Sequence, residues 1–265
     1  EGATRKVPGI LKLPSSRFQR LMTKRLREPY RKFICEVVAP HVAEKMEIES
    51  NLLLFQAVPV IRMAQPSLER ATHPHCDAMY FHQPGQINWW LPLADTSANN
   101  ALWVESEANL NDHQPLILQY GEVARFYGNR CTHYTVPNDT DSTRITLDFR
   151  VIPGELFIDN YFADLKPVTS SQAGGDGAQR TFVELFRVGG YYSICRRDPE
   201  TGLWRIKSSD SASNRPTEGK TASESQLTSQ AKEVLPVFKL ACACEACLLF
   251  SRWAPTPQLP QQSQV

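Results

Sequence analysis

Neither sign of charge dominates this chain. Its 29 lysines and arginines face 28 aspartates and glutamates, for a formal net charge of +1. No overall field therefore argues for nucleic acid or an anionic membrane as partner. A long uninterrupted apolar run is also missing. The most apolar late stretch, Val234 to Trp253, is broken by Lys239, Glu245 and Arg252, which speaks against a membrane span. The residues given contain no charged-then-apolar leader, and because the chain starts at Glu1 rather than Met, a preceding targeting segment is left open. A disulfide framework is lacking too. The seven cysteines (Cys35, Cys76, Cys131, Cys195, Cys242, Cys244 and Cys247) are odd in number and scattered, as expected of reduced thiols in a cytoplasmic protein. There is no internal repeat.

What is present suits one large domain with appendages: 265 residues, 42% of them hydrophobic. The first part is basic, and from Ser16 onward Phe18, Met22, Leu26 and Tyr30 recur at four-residue steps, one face of a helix. Pro29 is expected to end or kink it, with a second helix from Tyr30 to about Ala43. From Leu52 to Pro153 the texture changes to short extended runs: Leu52–Arg62, His75–His82, Ile87–Leu93, Ala101–Glu105, Pro115–Leu118, Glu122–Tyr127 and Thr143–Ile152. Such spacing suggests an antiparallel barrel or sandwich. Beyond Lys207 the sequence turns polar and low in complexity, and it ends Pro/Gln-rich. The expected organisation is a helical N-terminal region over 1–50 packing on the core, a β-rich core over 51–200, and a polar linker with a disordered tail over 205–265.

The run Thr143–Val151 alternates strictly. Ile145, Leu147, Phe149 and Val151 share one face, and Arg144, Thr146, Asp148 and Arg150 the other. Such a polar face either meets water or lines a ligand cavity. Periodicity does not decide between them.

Three of the six histidines fall in the decamer His73-Pro-His-Cys-Asp-Ala-Met-Tyr-Phe-His82. Taken as a strand, it puts His73, His75 and Asp77 on one face. An imidazole and a carboxylate two residues apart can hold one small cation. The third ligand must come from elsewhere: His113, His133 or His41. Two neutral imidazoles and a carboxylate on one face of a ferrous ion leave room for a chelating co-substrate and dioxygen. A 2-oxo acid chelator needs a fixed cation for its far carboxylate. Arg144, with Thr146 beside it, offers a bidentate guanidinium and a hydroxyl.

His75-x-Asp77, then His133, then Arg144-x-Thr146 resembles the Fe(II)/2-oxoglutarate-dependent oxygenases in order and spacing. The words Tyr80-Phe-His-Gln-Pro-Gly-Gln-Ile-Asn88-Trp-Trp-Leu-Pro-Leu93, Ala101-Leu-Trp-Val-Glu-Ser106, Gly128-Asn129 and Asp148-Phe-Arg-Val-Ile-Pro153 are similar to the family typified by the StrG-type proteins of streptomycin biosynthesis. Where that family has Arg-x-Ser, this chain has Arg144-Ile-Thr146. The resemblance implies a mainly β fold with flanking helices around a double-stranded β-helix (jelly-roll, cupin-like) core. It implies His75, Asp77 and His133 as Fe(II) ligands and catalytic residues, and Arg144 with Thr146 as the anchor for 2-oxoglutarate. O2 is the other co-substrate. Asn88 and His82 are further candidate co-substrate contacts, and Arg150 is a rival anchor, a substrate contact or a structural partner.

The activity so implied is hydroxylation of a small polar molecule with decarboxylation of 2-oxoglutarate to succinate, with no nucleic-acid or membrane partner and with the oligomeric state open. The alternatives are a cupin-like metal-dependent isomerase or sugar-binding module, against which Arg144-x-Thr146 argues, and a basic interaction module acting through the N-terminal region. Cys242, Cys244 and Cys247 supply only three thiolates with no histidine near, short of a structural zinc site.

Overall fold

A computed structural model describes residues 17–45, 51–159, 161, 186–206 and 238–239, with the backbone alone for 17–24 and 238–239. The cysteine cluster at Cys242, Cys244 and Cys247, the loop around 170–177 and nearly all of the expected linker and tail lie outside these residues.

Helix α1 (Arg17–Phe33) runs into a π-helical turn at Ile34–Val38 and on into α2 (Ala39–Lys45). The expectation of two helices divided at Pro29 is corrected, because Pro29 lies inside α1. Proline removes one N–H bond, a loss of roughly 3 kcal/mol. The residues that follow more than offset it: Tyr30, Phe33, Ile34, Val38 and Val42 are all buried against one sheet. The extra residue of the π turn re-aims the helix surface, so that Val38 and Val42 stay on that sheet.

Among the described residues eleven strands follow: β1 (Leu52–Gln56), β2 (Val60–Ala64), β3 (Ile87–Pro92), β4 (Leu102–Val104), β5 (Gln114–Pro115), β6 (Glu122–Phe126), β7 (His133–Thr135), β8 (Arg144–Pro153), β9 (Tyr192–Arg197), β10 (Trp204–Ile206) and β11 (Phe238–Lys239). The main sheet has the order β10-β9-β1-β8-β3-β6-β11, with β2 also paired to β8, and the second sheet has the order β5-β4-β7. The second sheet is extended by an antiparallel bridge from His133 to His75. Along the chain, β2 lies in the main sheet, the stretch ending at His75 in the second, β3 in the main, β4 and β5 in the second, β6 in the main, β7 in the second and β8 in the main. That alternation winds a double-stranded β-helix, the jelly roll that the resemblance implied.

The run His75–His82 is not a strand. Only its start is extended; Asp77–Tyr80 forms a 3-10 turn, and Phe81 takes a left-handed backbone with φ of 65°. The turn forms because the N–H groups of Asp77 and Ala78 donate to the carbonyls of Gly128 and Asn129, so these donors need no ladder partner.

Between the sheets pack Trp90, Leu102, Val104, Leu116, Ala124 and Phe126. On the outer face of the main sheet Phe149 meets Tyr30, Phe33 and Trp89, at ring centroids 5.4, 6.0 and 5.9 Å away. Both faces of β8 are therefore covered, since Leu147, Phe149 and Val151 are buried on one side and Arg144 and Thr146 on the other. The polar face looks into the barrel. Among the described residues no helix is long and apolar enough to cross a membrane.

His41, buried edge-on to Trp89 at 5.7 Å, has its pKa pulled down to about 4 by burial, with Arg125 and Lys45 acting in the same direction. An unfolded histidine titrates near 6.5, so between these values the unfolded chain binds the extra proton. His41 therefore contributes stability that is present above about pH 6.5 and is lost as pH falls toward 4. His41→Phe should flatten the dependence of the urea midpoint on pH in that window; an unchanged slope would contradict the packing described.

Candidate metal centre

His75 and His133 are set side by side by backbone hydrogen bonding. The N–H of each donates to the carbonyl of the other, at 3.2 and 2.9 Å. Residues opposite one another in an antiparallel pair point to the same face, and the two imidazole centroids are 4.3 Å apart. Both rings are oriented from behind. Nδ1 of His75 lies 2.7 Å from the His73 carbonyl and Nδ1 of His133 lies 3.1 Å from the Cys131 carbonyl. With each Nδ1–H donating to a carbonyl, each Nε2 presents its lone pair. The carbonyl is thus the part that His73 plays. His133, buried, has its pKa lowered to about 4 by that burial, so it is a neutral imidazole at pH 7.

Asp77 completes the set. Its Oδ1 lies 3.9 Å from His75 Nε2 and 3.7 Å from His133 Nε2, and the three donor atoms all fall within 4.8 Å of one another. The carboxylate is 1% exposed. Burial pushes its pKa up, but the Arg150 guanidinium outweighs this and holds it well below the usual carboxylate range. Arg150 grips both oxygens, Nε to Oδ2 at 2.7 Å and Nη2 to Oδ1 at 3.1 Å, while Asn88 Nδ2 donates to Oδ2 at 2.7 Å. Asn88 and Arg150 can both reach it because they are direct partners across β3 and β8. Gly128 makes room for Asn88: a Cβ there would stand 2.6 Å from the Asn88 amide.

Two imidazoles with Nε2 turned inward and one carboxylate held ionised are a donor set that fits a divalent iron, manganese or cobalt ion. A narrow cavity joins the two histidines to Arg144, and His75, Asn88, His133, Arg144, Asp148 and Arg150 are among its lining residues.

Arg144 is buried. Its Nη1 donates to the Asn100 carbonyl at 2.7 Å, and its guanidinium lies 5.7 Å from the Trp90 ring centre. Its Nε has no hydrogen-bond partner among the described residues. An orphaned cationic donor in a buried site is costly, and a carboxylate would complete it. Thr146, fully buried, donates instead to Asp148 at 2.9 Å, and Asp148 pairs with Arg62. This pair takes up the nearest acid, so Arg144 is left without an ion-pair partner among the described residues.

The structure thus brings together His75, Asp77, His133, Asn88 and Arg144. Thr146 is adjacent but engaged with Asp148. His82 is not among the cavity-lining residues; its ring is buried against Phe186 and Tyr191, at centroid distances of 4.8 and 5.9 Å. Asn129 donates to the carbonyls of His82 and Gln83 and so ties down that loop. Residues that the sequence reading left out are Arg62, Asp148, Gln56 and Tyr191. Asp148 was legible on the polar face of β8. The other three become site residues only through strand register and the turn before β9.

No family model matches the chain. Over 105 residues it is 32% identical to the streptomycin biosynthesis protein StrG of Streptomyces griseus, a stretch covering 40% of this chain and 49% of that one. The chain thus spans about half the length of the curated relative it matches, and that relative is the one the motif words implied. Among solved structures it is similar to SnoN, a non-heme alpha ketoglutarate dependent epimerase from nogalamycin biosynthesis, at 16% identity and a TM-score of 0.39 over 61% of this chain and 68% of that one. A nickel complex of the non-heme monooxygenase ThoJ is similar at 20% identity and a TM-score of 0.32, over 39% and 46% of the two chains. At such scores the likenesses carry no weight for the fold, which rests on the strand order.

If the three donors share one ion, His75→Ala, Asp77→Ala and His133→Ala should each weaken Co(II) binding by roughly 100-fold or more in equilibrium dialysis. Comparable weakening by His113→Ala, a half-buried histidine outside the cluster, would contradict this assignment.

Proposed function

We propose that this protein is an Fe(II)- and 2-oxoglutarate-dependent oxygenase acting on a small polar molecule. The observation that carries the proposal is a His-Asp-His donor cluster whose two histidines line one cavity with a buried arginine, its Nε unpartnered among the described residues. An isomerase or sugar-binding module needs the first of these and has no use for the second.

In this reading His75 and His133 give their Nε2 lone pairs and Asp77 gives Oδ1 to the iron. Arg144 holds the far carboxylate of 2-oxoglutarate through Nε. Thr146 braces Asp148 and keeps Arg62 paired, so that no neighbouring acid competes for Arg144. When bound, iron and the 2-oxo acid supply the oxidising power: one O2 and one 2-oxoglutarate give succinate and CO2, and one oxygen atom is left for a substrate C–H bond. Trp90 beneath the arginine and Phe126 edge-on to His133 at 5.2 Å exclude water from the inner wall. Met79, Tyr80 and Phe81, exposed immediately after Asp77, form an apolar lip against which a substrate can rest. The Tyr80 ring lies 5.3 Å from that of His75.

The direct test is anaerobic mixing of the protein with Fe(II) and 2-oxoglutarate. A weak visible charge-transfer band is expected, then succinate once oxygen is admitted. No band, and no succinate above a His133→Ala control, would sink the proposal. Product analysis with a turned-over substrate separates hydroxylation from the epimerisation named for SnoN, since only hydroxylation adds an oxygen atom.

Arg144→Ala should raise the dissociation constant for 2-oxoglutarate by roughly 30-fold or more, the loss of a charge-assisted carboxylate pair. Binding of the metal alone should change by no more than about 3-fold, because Arg144 touches none of the three donors. Equal loss of both, measured by titration calorimetry with Mn(II), would mean the anchor is misassigned.

A further inference from the structure

Arg150 has no task in the oxygenase reading so far, yet it is the most heavily bonded side chain of the centre. Its Nε and Nη2 take the two oxygens of Asp77. Its Nη1 lies 3.4 Å from Gln56 Oε1 and 3.5 Å from the Tyr191 hydroxyl. The Tyr191 hydroxyl in turn donates to Gln56 Oε1 at 3.0 Å. Arg150 is therefore held from β1 and from the turn before β9 while it holds Asp77 from β8.

The two carboxylate oxygens of Asp77 are not equivalent. Oδ2 accepts from Arg150 Nε and from Asn88 Nδ2, both at 2.7 Å. Two donors use both of its lone pairs. Oδ1 accepts only the longer 3.1 Å contact from Nη2 and is the oxygen that faces Nε2 of both histidines. For Asp77 to grip an ion with both oxygens, Oδ2 would have to give up two charge-assisted or buried hydrogen bonds at once. The donors cannot follow it, because Asn88 is packed over Gly128 and Arg150 is tied to Gln56 and Tyr191.

We propose that Arg150 and Asn88 are positioning residues that restrict Asp77 to a single ligating oxygen, Oδ1. The inference rests on the metal-centre reading and goes beyond it. A six-coordinate ion bound by three protein atoms keeps three places for small molecules. A chelating 2-oxo acid takes two and dioxygen needs the third. Were Asp77 bidentate, the protein would fill four places and the chelate would leave none for oxygen. Arg150 and Asn88 thus preserve the vacancy on which the reaction depends, acting through Asp77.

The test counts water on the metal, a quantity that a general loss of stability does not move. The full chain is loaded with Mn(II) alone, exchanged into D2O, and the metal-bound waters are counted by pulsed electron paramagnetic resonance. Three are expected in the parent. Arg150→Met should lower the count toward two as Asp77 turns to chelate, and Arg150→Lys, which restores one cationic donor, should bring it back toward three. Asn88→Ala removes the neutral brace and should also bring the count below three, which keeps the question open to measurement should Arg150→Met not fold. Two waters in the parent, or three in the parent and in every variant, would overturn the proposal. The second result would leave the oxygenase reading standing. A parent that binds no Mn(II) at the histidines would remove the metal centre itself, and both readings with it.

Discussion

A carboxylate taken out of water must be compensated on the spot, and at Asp77 the compensation comes from parts of the chain far apart in sequence. Arg150 on β8 and Asn88 on β3 both donate to it, while the Gly128 carbonyl accepts from the Asp77 backbone N–H and holds the turn in place. Removing one partner of a buried ion pair is strongly destabilising, of order 3–5 kcal/mol. The arrangement is therefore self-enforcing. Strands β3 and β8 must pair in the register that puts Asn88 opposite Arg150, and the turn at Asp77–Tyr80 must dock on the loop after β6, or a charge is left alone in the barrel. The histidines are subordinate to this. They are brought to Oδ1 by the bridge between His75 and His133 and aimed by two backbone carbonyls.

The hydrophobic core lets β8 carry so polar an inner face. Its other face is sealed by Tyr30, Phe33 and Trp89 around Phe149, so the strand is fixed from outside and its inward residues are free for chemistry. Along that inner face the charges are settled in order. Arg150 is spent on Asp77, and Asp148 is spent on Arg62 with help from Thr146. Arg144 alone of the inward arginines has no carboxylate among the described residues. Rigid elements with one uncompensated group are what preorganised binding of a charged co-substrate requires.

The strict alternation over Thr143–Val151 made β8 and its two faces legible in the sequence, and the order of His-x-Asp, His and Arg-x-Thr made the candidate metal ligands and the candidate anchor legible by resemblance. Whether the polar face met water was not, because strand period carries no information on what covers a face; the second sheet packed over the inner side decides it. The decamer read as a strand because apolar and polar residues happen to alternate there, but the N–H groups of Asp77 and Ala78 find partners at Gly128 and Asn129, outside any ladder. Pro29 misled in the opposite sense, since a local cost was outweighed by tertiary burial on both sides of it. β7 is three residues long and mostly polar, too short for a period to show. Arg150's grip on Asp77 and His82's place behind Phe186 depend on register and on a turn more than one hundred positions downstream of the decamer, which no local pattern encodes.

The central claim is that one ion shared by His75, Asp77 and His133 sits within reach of a 2-oxo acid anchored on Arg144. Crystals grown without oxygen in Mn(II) and 2-oxoglutarate would test it most directly, by anomalous diffraction at the manganese edge. The account predicts one anomalous peak bounded by His75 Nε2, Asp77 Oδ1 and His133 Nε2, with a carboxylate of the co-substrate hydrogen-bonded to Arg144 Nε. A peak elsewhere, or a co-substrate that leaves Arg144 untouched, would contradict it.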